Sequence, residues 1–180
     1  MKKLIFVLTL ATTFLAFNDT NAQKFSGIDK SVADIAYYKT DRNAPPSIKV
    51  IYSRPLKKGR AVFGSLVPYD KVWRTGANEA TEIRLYQDMM FGDKEIKAGT
   101  YTLFTIPGSS EWTIILNSDT DVWGAYSYKE ENDVVRIKVP VSSGNESLEA
   151  FSIAFKQDSE EKIDMVLGWD TTRVKIPFTL

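Results

Sequence analysis

From Ile48 onward, apolar side chains recur at every second position, and that period decides what the chain can fold into. Val135, Ile137 and Val139 face away from Arg136 and Lys138, the cleanest alternation present. Such spacing puts one set of side chains on one face of an extended strand, whereas a helix needs a period near 3.6. Ile48, Val50 and Tyr52 alternate with Lys49, Ile51 and Ser53, and Arg54-Pro55 ends the run. Ile83 and Leu85 alternate with Glu82, Arg84 and Tyr86. Residues 101–106 are apolar on both faces, as in a strand covered from both sides. Trp112, Ile114 and Leu116 mark the next strand, followed by Phe151, Ile153 and Phe155, by Ile163, Met165, Leu167 and Trp169, and by Val174, Ile176, Phe178 and Leu180. Residues 62–67 form a weaker strand pattern, broken by Gly64.

Turn chemistry separates these runs: Lys58-Gly59, Gly92-Asp93, Pro107-Gly108, Asn132-Asp133, Ser143-Gly144-Asn145 and Trp169-Asp170. Eight to ten short strands with this punctuation, and no long amphipathic helix, predict an all-β antiparallel sandwich or jelly roll over residues 48–180. Residues 23–47 read as an irregular leader closed by Pro45-Pro46. Within it, a Ser31 cap with Val32, Ile35 and Ala36 on one face predicts a short helix over 31–38, the alternative being an extended segment along a sheet edge.

The first 22 residues follow a different rule. Lys2 and Lys3 precede an apolar stretch over 4–17, and Thr20-Asn21-Ala22 offers small residues around a cleavage point. This is the pattern of a secretory signal peptide, too short to span a hydrocarbon core about 30 Å thick. The expected mature chain starts at Gln23, carries no membrane span, and is exported. Its last strand runs to Leu180 without a further module, which favours the periplasm over the medium.

Composition narrows the chemistry. Without residues 1–22 the chain has 21 basic and 22 acidic residues, a net charge of −1. That balance lacks the concentrated positive face that nucleic acid or anionic lipid requires. With no cysteine, the fold has no disulfide and no thiolate chemistry. The absence of histidine removes Ser-His-Asp systems and the usual zinc ligands. Ten Phe, eight Tyr and four Trp supply the apolar area for a core without staples. No cofactor and no metal centre is expected.

One segment concentrates functional side chains. Residues 72–81 read V-W-R-T-G-A-N-E-A-T, with Trp73, Arg74, Asn78 and Glu79 around the Gly76 turn. Arg54 and Arg60 lie upstream. Guanidinium groups present a planar fork to carboxylates, and a Trp face beside amide and carboxylate groups is a sugar-gripping combination. A purely structural account competes with this: Arg74 pairs with Glu79 across the turn, and Trp73 is core. A second aromatic platform lies at Trp123-Gly124-Ala125-Tyr126, with Tyr126 and Tyr128 expected on one face. Asn117, Asp119 and Asp121 have the spacing of a calcium-loop start but lack its glycine and its closing acid, leaving an Asp-rich hairpin tip.

The string L-V-P-Y-D-K-V-W-R-T-G-A-N-E-A-T over 66–81, the upstream I-Y-S-R-P…K-G-R, the downstream I-K-A-G-T-Y-T-L-F-T-I-P-G, and W-T-I-I-L-N and W-G-A-Y closely resemble an exported bacterial family. It is catalogued as domain of unknown function 2911 and is common in the Bacteroidota. The resemblance covers nearly all of the chain after residue 22 and implies an exported β-rich domain. The family brings no established activity, so it supplies no catalytic residue. Asp70 departs from the family pattern, which has glycine there more often, and the departure touches only a turn.

The functional expectation is therefore a non-catalytic module binding a carbohydrate or other polar envelope ligand through Arg54, Arg60, Trp73, Arg74, Asn78 and Glu79. Trp123 and Tyr126 form a secondary aromatic candidate. A scaffold that holds an envelope protein by a sheet edge is the alternative. A carboxylate-based hydrolase ranks third, because no pair among the acids is singled out.

Overall fold

The computed structural model describes residues 23–180, so residues 1–22, where the sequence predicts a signal peptide, lie outside the described residues. Nine strands form one antiparallel sheet in the order β1-β2-β3-β6-β7-β8-β9-β4-β5. They are β1 (Ala33–Tyr38), β2 (Ile48–Ser53), β3 (Glu82–Leu85), β4 (Met89–Phe91), β5 (Lys94–Ile96), β6 (Gly99–Ile106), β7 (Glu111–Asn117), β8 (Asp133–Gln157) and β9 (Lys162–Thr179). Among the described residues, the one helical element is a 3-10 turn at Glu130–Asn132, and no helix is long and apolar enough to cross a membrane.

The sheet folds back on itself because β8 and β9 are long and bend together. Val141 to Ser143 pair with Val174 to Thr172, and further on Ser152 to Gln157 pair with Gly168 to Ile163. The register shifts between Ser143 and Leu148 and between Leu148 and Ser152. Extra residues in one strand increase local twist and bend it. The Ser143-Gly144-Asn145 signal therefore marks an elbow inside one strand, where the sequence predicts a turn between two. Trp169-Asp170 is the matching bend in β9. Gly144 leaves room for the Arg173 guanidinium, whose carbon would lie 2.8 Å from an added Cβ. Arg173 in turn donates to the carbonyls of Asp170 and Thr172, both at 2.8 Å, and of Glu146 at 2.7 Å.

Folding over brings β1 and β2 onto the far end of β8. Arg54 Nε donates to the Phe151 carbonyl at 3.0 Å, its Nη2 to Ser152 Oγ at 2.7 Å, and its Nη1 to Asp34 at 3.0 Å. The Tyr52 hydroxyl accepts the Ile153 N–H at 3.1 Å. Between the two halves lies one core, built from the inward positions of every strand. At its centre Phe63, Trp73, Trp112, Phe151 and Trp169 pack with ring centroids 4.8–6.2 Å apart. Aromatic pairs in such tilted and edge-on arrangements add about 0.5–1.5 kcal/mol each beyond area burial.

Two local expectations are corrected, and one hairpin is added. Residues 33–38 form edge strand β1 instead of a helix, since pairing with β2 buries Tyr38 against Phe155. Residues 62–67 form a loop, in which Gly64 at φ +82 donates to the Val67 carbonyl at 2.8 Å. The hairpin β4–β5 around Gly92 joins the sheet through β9, although neither three-residue strand shows alternation in sequence. Asp70 sits at φ 58, a conformation glycine adopts most readily.

Candidate functional site

The outward faces of β6 and β7 carry Phe104 and Ile115, directly paired across the strands. Left to solvent, they would make an apolar patch. They are instead 1% and 0% exposed, under a second small core completed by Ala80, Val72, Val122, Ala125 and Tyr128. Two loops, over residues 72–80 and 119–128, supply this cover. The burial of Phe104 and Ile115 is what brings these sequence-distant segments together.

The first loop is an excursion from the edge of β6. Trp73 pairs with Thr105 through N–H···O bonds of 2.7 and 3.0 Å, and the Leu103 N–H donates to the Thr81 carbonyl at 2.8 Å. Its mouth is closed by the Thr81 N–H on the Arg74 carbonyl at 3.0 Å. Inside, Thr81 Oγ1 donates to the Thr75 carbonyl at 2.7 Å, and Thr75 Oγ1 lies 3.1 Å from Thr105 Oγ1. Thr75 and Asn78 stand at φ 55 and 59, a costly conformation for β-branched Thr75. Gly76 presses on β2 so closely that an added Cβ would come 2.9 Å from the Ser53 carbonyl oxygen.

The second loop docks on the first. The Ala80 N–H donates to the Val122 carbonyl at 2.9 Å, and the Gly124 N–H to the Asn78 carbonyl at 3.0 Å. These bonds flank Glu79 and Trp123, which oppose each other as a non-hydrogen-bonded antiparallel pair. In that pairing the two side chains sit on the same face and close together. Trp123 is 59% exposed and Tyr126 81%, and their rings stack at 5.6 Å with 15° between planes. Gly124, at φ +71, lies under the stack, and an added Cβ would be 2.6 Å from Tyr126 Cε2. The same point is 3.8 Å from Arg74 Nη1.

The two sequence candidates thus merge into one surface, with Arg74, Asn78, Glu79, Trp123 and Tyr126 around Gly124. Beside it, a cleft of about 210 Å³ is lined by Glu79, Glu82, Asp121, Ile51 and Tyr52 among others. The Asp121 N–H donates to Glu82 Oε1 at 3.2 Å. Among the described residues, no group of three acids is placed to hold a metal ion. Asp29, in the leader, is held below the usual carboxylate range by the Ser31 N–H and then by the Asn78 side chain. The leader therefore passes beside the loop.

The structure places several of the sequence candidates away from this surface or in other contacts. Trp73 is no platform: its ring packs in the aromatic core and its Nε1–H donates to the Gly76 carbonyl at 3.1 Å. Arg54 is a strap between β1, β2 and β8. Arg60 is exposed and closes its own loop on the Lys57 and Leu56 carbonyls at 2.9 and 2.7 Å. The Arg74–Glu79 ion pair does not form among the described residues; Glu79 lies with Trp123 and Arg74 approaches Gly124. Arg74 Nε is buried with no hydrogen-bond partner, a condition that costs about 1–3 kcal/mol for a typical polar group.

Tyr128 parts from Tyr126. Its ring lies 5.1 Å from Phe104 and its hydroxyl donates to Asp133 at 2.6 Å. Burial, followed by that bond to Asp133, pushes its pKa up to about 12. Asn117 and Asp119 tie the same corner. Asn117 Nδ2 donates to the Lys129 carbonyl at 3.0 Å and to Asp133 at 2.7 Å, while Asp119 accepts from Asn132 at 2.8 Å.

No curated protein and no solved structure matches the chain. Residues 36–178 match the family described as "Protein of unknown function (DUF2911)". That span runs from the last half of β1 to Phe178 in β9, with both loops of the candidate surface, and the chain belongs to this family.

Proposed function

We propose that this chain is an exported, non-catalytic module that binds a carbohydrate through the surface around Gly124. The single observation behind the reading is the exposed, parallel Trp123–Tyr126 stack set beside the Glu79 carboxylate. Aromatic faces take up the apolar C–H faces of a sugar ring, while carboxylate and amide groups accept and donate to its hydroxyls. Asn78 and Glu79 supply those polar groups at the edge of the stack. The loop beneath is closed by backbone and threonine hydrogen bonds, so the platform is held before any ligand arrives. The basic-apolar-small pattern of residues 1–22 supports an envelope location.

Thermal shift against a glycan panel tests the reading. A ligand at about 100 times its Kd stabilises the native state by about 2.7 kcal/mol, several degrees for a chain of this size. That shift is expected for at least one glycan and is expected to vanish in W123A and Y126A. A shift that survives both substitutions removes the platform from the site.

A second reading, an envelope scaffold, has its own support. Ile35 and Tyr37 are exposed on edge strand β1, and Ile51, the register partner of Ile35, is exposed beside them. Sheet edges of this kind invite strand addition. I35K with Y37K is expected to abolish any association seen by sedimentation, and a strictly monomeric protein with no captured partner counts against it.

A further inference from the structure

Resting on the carbohydrate reading, we infer that the sugar recognised at this surface carries a carboxylate, and that Arg74 is the residue that reads it. Four arginines are partly buried: Arg54, Arg74, Arg136 and Arg173. Arg54 and Arg136 hold carboxylates, and Arg173 holds three backbone carbonyls. Arg74 alone among them makes no ion pair and no side-chain hydrogen bond within the described residues, and its Nε is buried without an acceptor.

A guanidinium is a fixed cation that presents its N–H groups in a planar fork. Without an acceptor it is a poor structural element, since burial removes water from its Nε–H and returns nothing. Its position supplies a use. Nη1 lies 3.8 Å from the point where a Gly124 side chain would begin, and that point is against the Tyr126 ring. Fork and ring meet over Gly124, whose missing side chain makes room for the Tyr126 ring.

A planar guanidinium matches a carboxylate bidentately, and such charge-assisted bonds are about twice as strong as neutral ones. Glu79 pairs with Trp123, and its carboxylate repels an anionic group there. The ligand is therefore oriented: its carboxylate lies toward Arg74 and its hydroxyls toward Glu79 and Asn78. A neutral sugar would gain the stack but leave the guanidinium unsatisfied.

The test uses matched pairs that differ only in charge. Oligomers of galacturonate, glucuronate and muramic acid are titrated calorimetrically into the purified protein, each beside its own methyl ester. At least one acid is expected to bind ten times or more tightly than its ester, with an affinity that falls as salt rises. R74Q is expected to bring that acid down to the level of the ester, and R74K to recover only part of the loss. An ester bound as tightly as its acid overturns this inference, and it does so without any variant. If such ester binding is lost in W123A, the carbohydrate reading survives while the acidic one falls. Binding of no member of the panel counts against both.

Discussion

Glu79 and Trp123, forty-four positions apart, oppose each other as a non-hydrogen-bonded antiparallel pair, flanked by Ala80 N–H to Val122 and Gly124 N–H to Asn78. This pair joins two loops that would otherwise be independent covers over β6 and β7. It also sets a carboxylate beside an exposed indole.

The two tryptophans of the candidate segments are expected to behave oppositely. W73A removes the centre of the aromatic cluster and should cost about 3–5 kcal/mol, as large-to-small core changes do. W123A removes a mostly exposed ring and should stay within about 0.5 kcal/mol of the parent. Urea unfolding of both variants checks this, and equal losses would contradict the division between core and surface.

Arg54 is expected to matter for stability and not for ligand. R54A leaves the Phe151 carbonyl and Ser152 hydroxyl without their donor, at a cost of about 1–3 kcal/mol. Its partner Asp34 is partly exposed and adds little. Glycan affinity measured on the folded variant should stay within about twofold of the parent.

Gly124 is expected to be intolerant of a single added carbon. In G124A the new Cβ meets the Tyr126 ring, and the left-handed backbone costs roughly 1–2 kcal/mol. The ring must swing off Trp123, so tryptophan fluorescence should change and any glycan-induced shift should shrink. An unaltered spectrum would show that the stack does not depend on the gap.

Stability should fall in acid through Asp170. Lys57 at 2.6 Å, then Ser147 at 2.7 Å, hold its carboxyl below the ordinary value. A group whose folded pKa is lowered contributes fully above its unfolded pKa of about 3.9 and loses that contribution as pH falls through the folded value. D170N should flatten the acid limb of a stability–pH curve below about pH 4. Tyr128 acts at the other end. Its pKa is raised to about 12, so its contribution is whole below about pH 10 and disappears between there and pH 12. Y128F should remove that alkaline loss, as read by unfolding midpoints across this range.

Period-two alternation made the all-β class legible, because side-chain direction is a local property of each strand. What stayed hidden depended on contacts between distant segments. Ser143-Gly144-Asn145 has the composition of a turn, yet the partner strand β9 bends with it and pairing continues. Met89-Met90-Phe91 and Lys94-Glu95-Ile96 are too short to display a period. Trp73 and Trp123 each follow a charged residue and a valine in sequence; only the closure of Thr81 onto the Arg74 carbonyl, and the pairing with Thr105, turns the first one inward. The residues of the surface were named from two separate stretches, and their union waited on the burial of Phe104 and Ile115.

Because β8 and β9 each run through both halves of the folded sheet, the molecule has no seam along which two independent modules could part. A protease cut at the elbow near Gly144 severs one of the two strands that carry the chain across the bend, so a single nick there should loosen both halves together instead of trimming one of them.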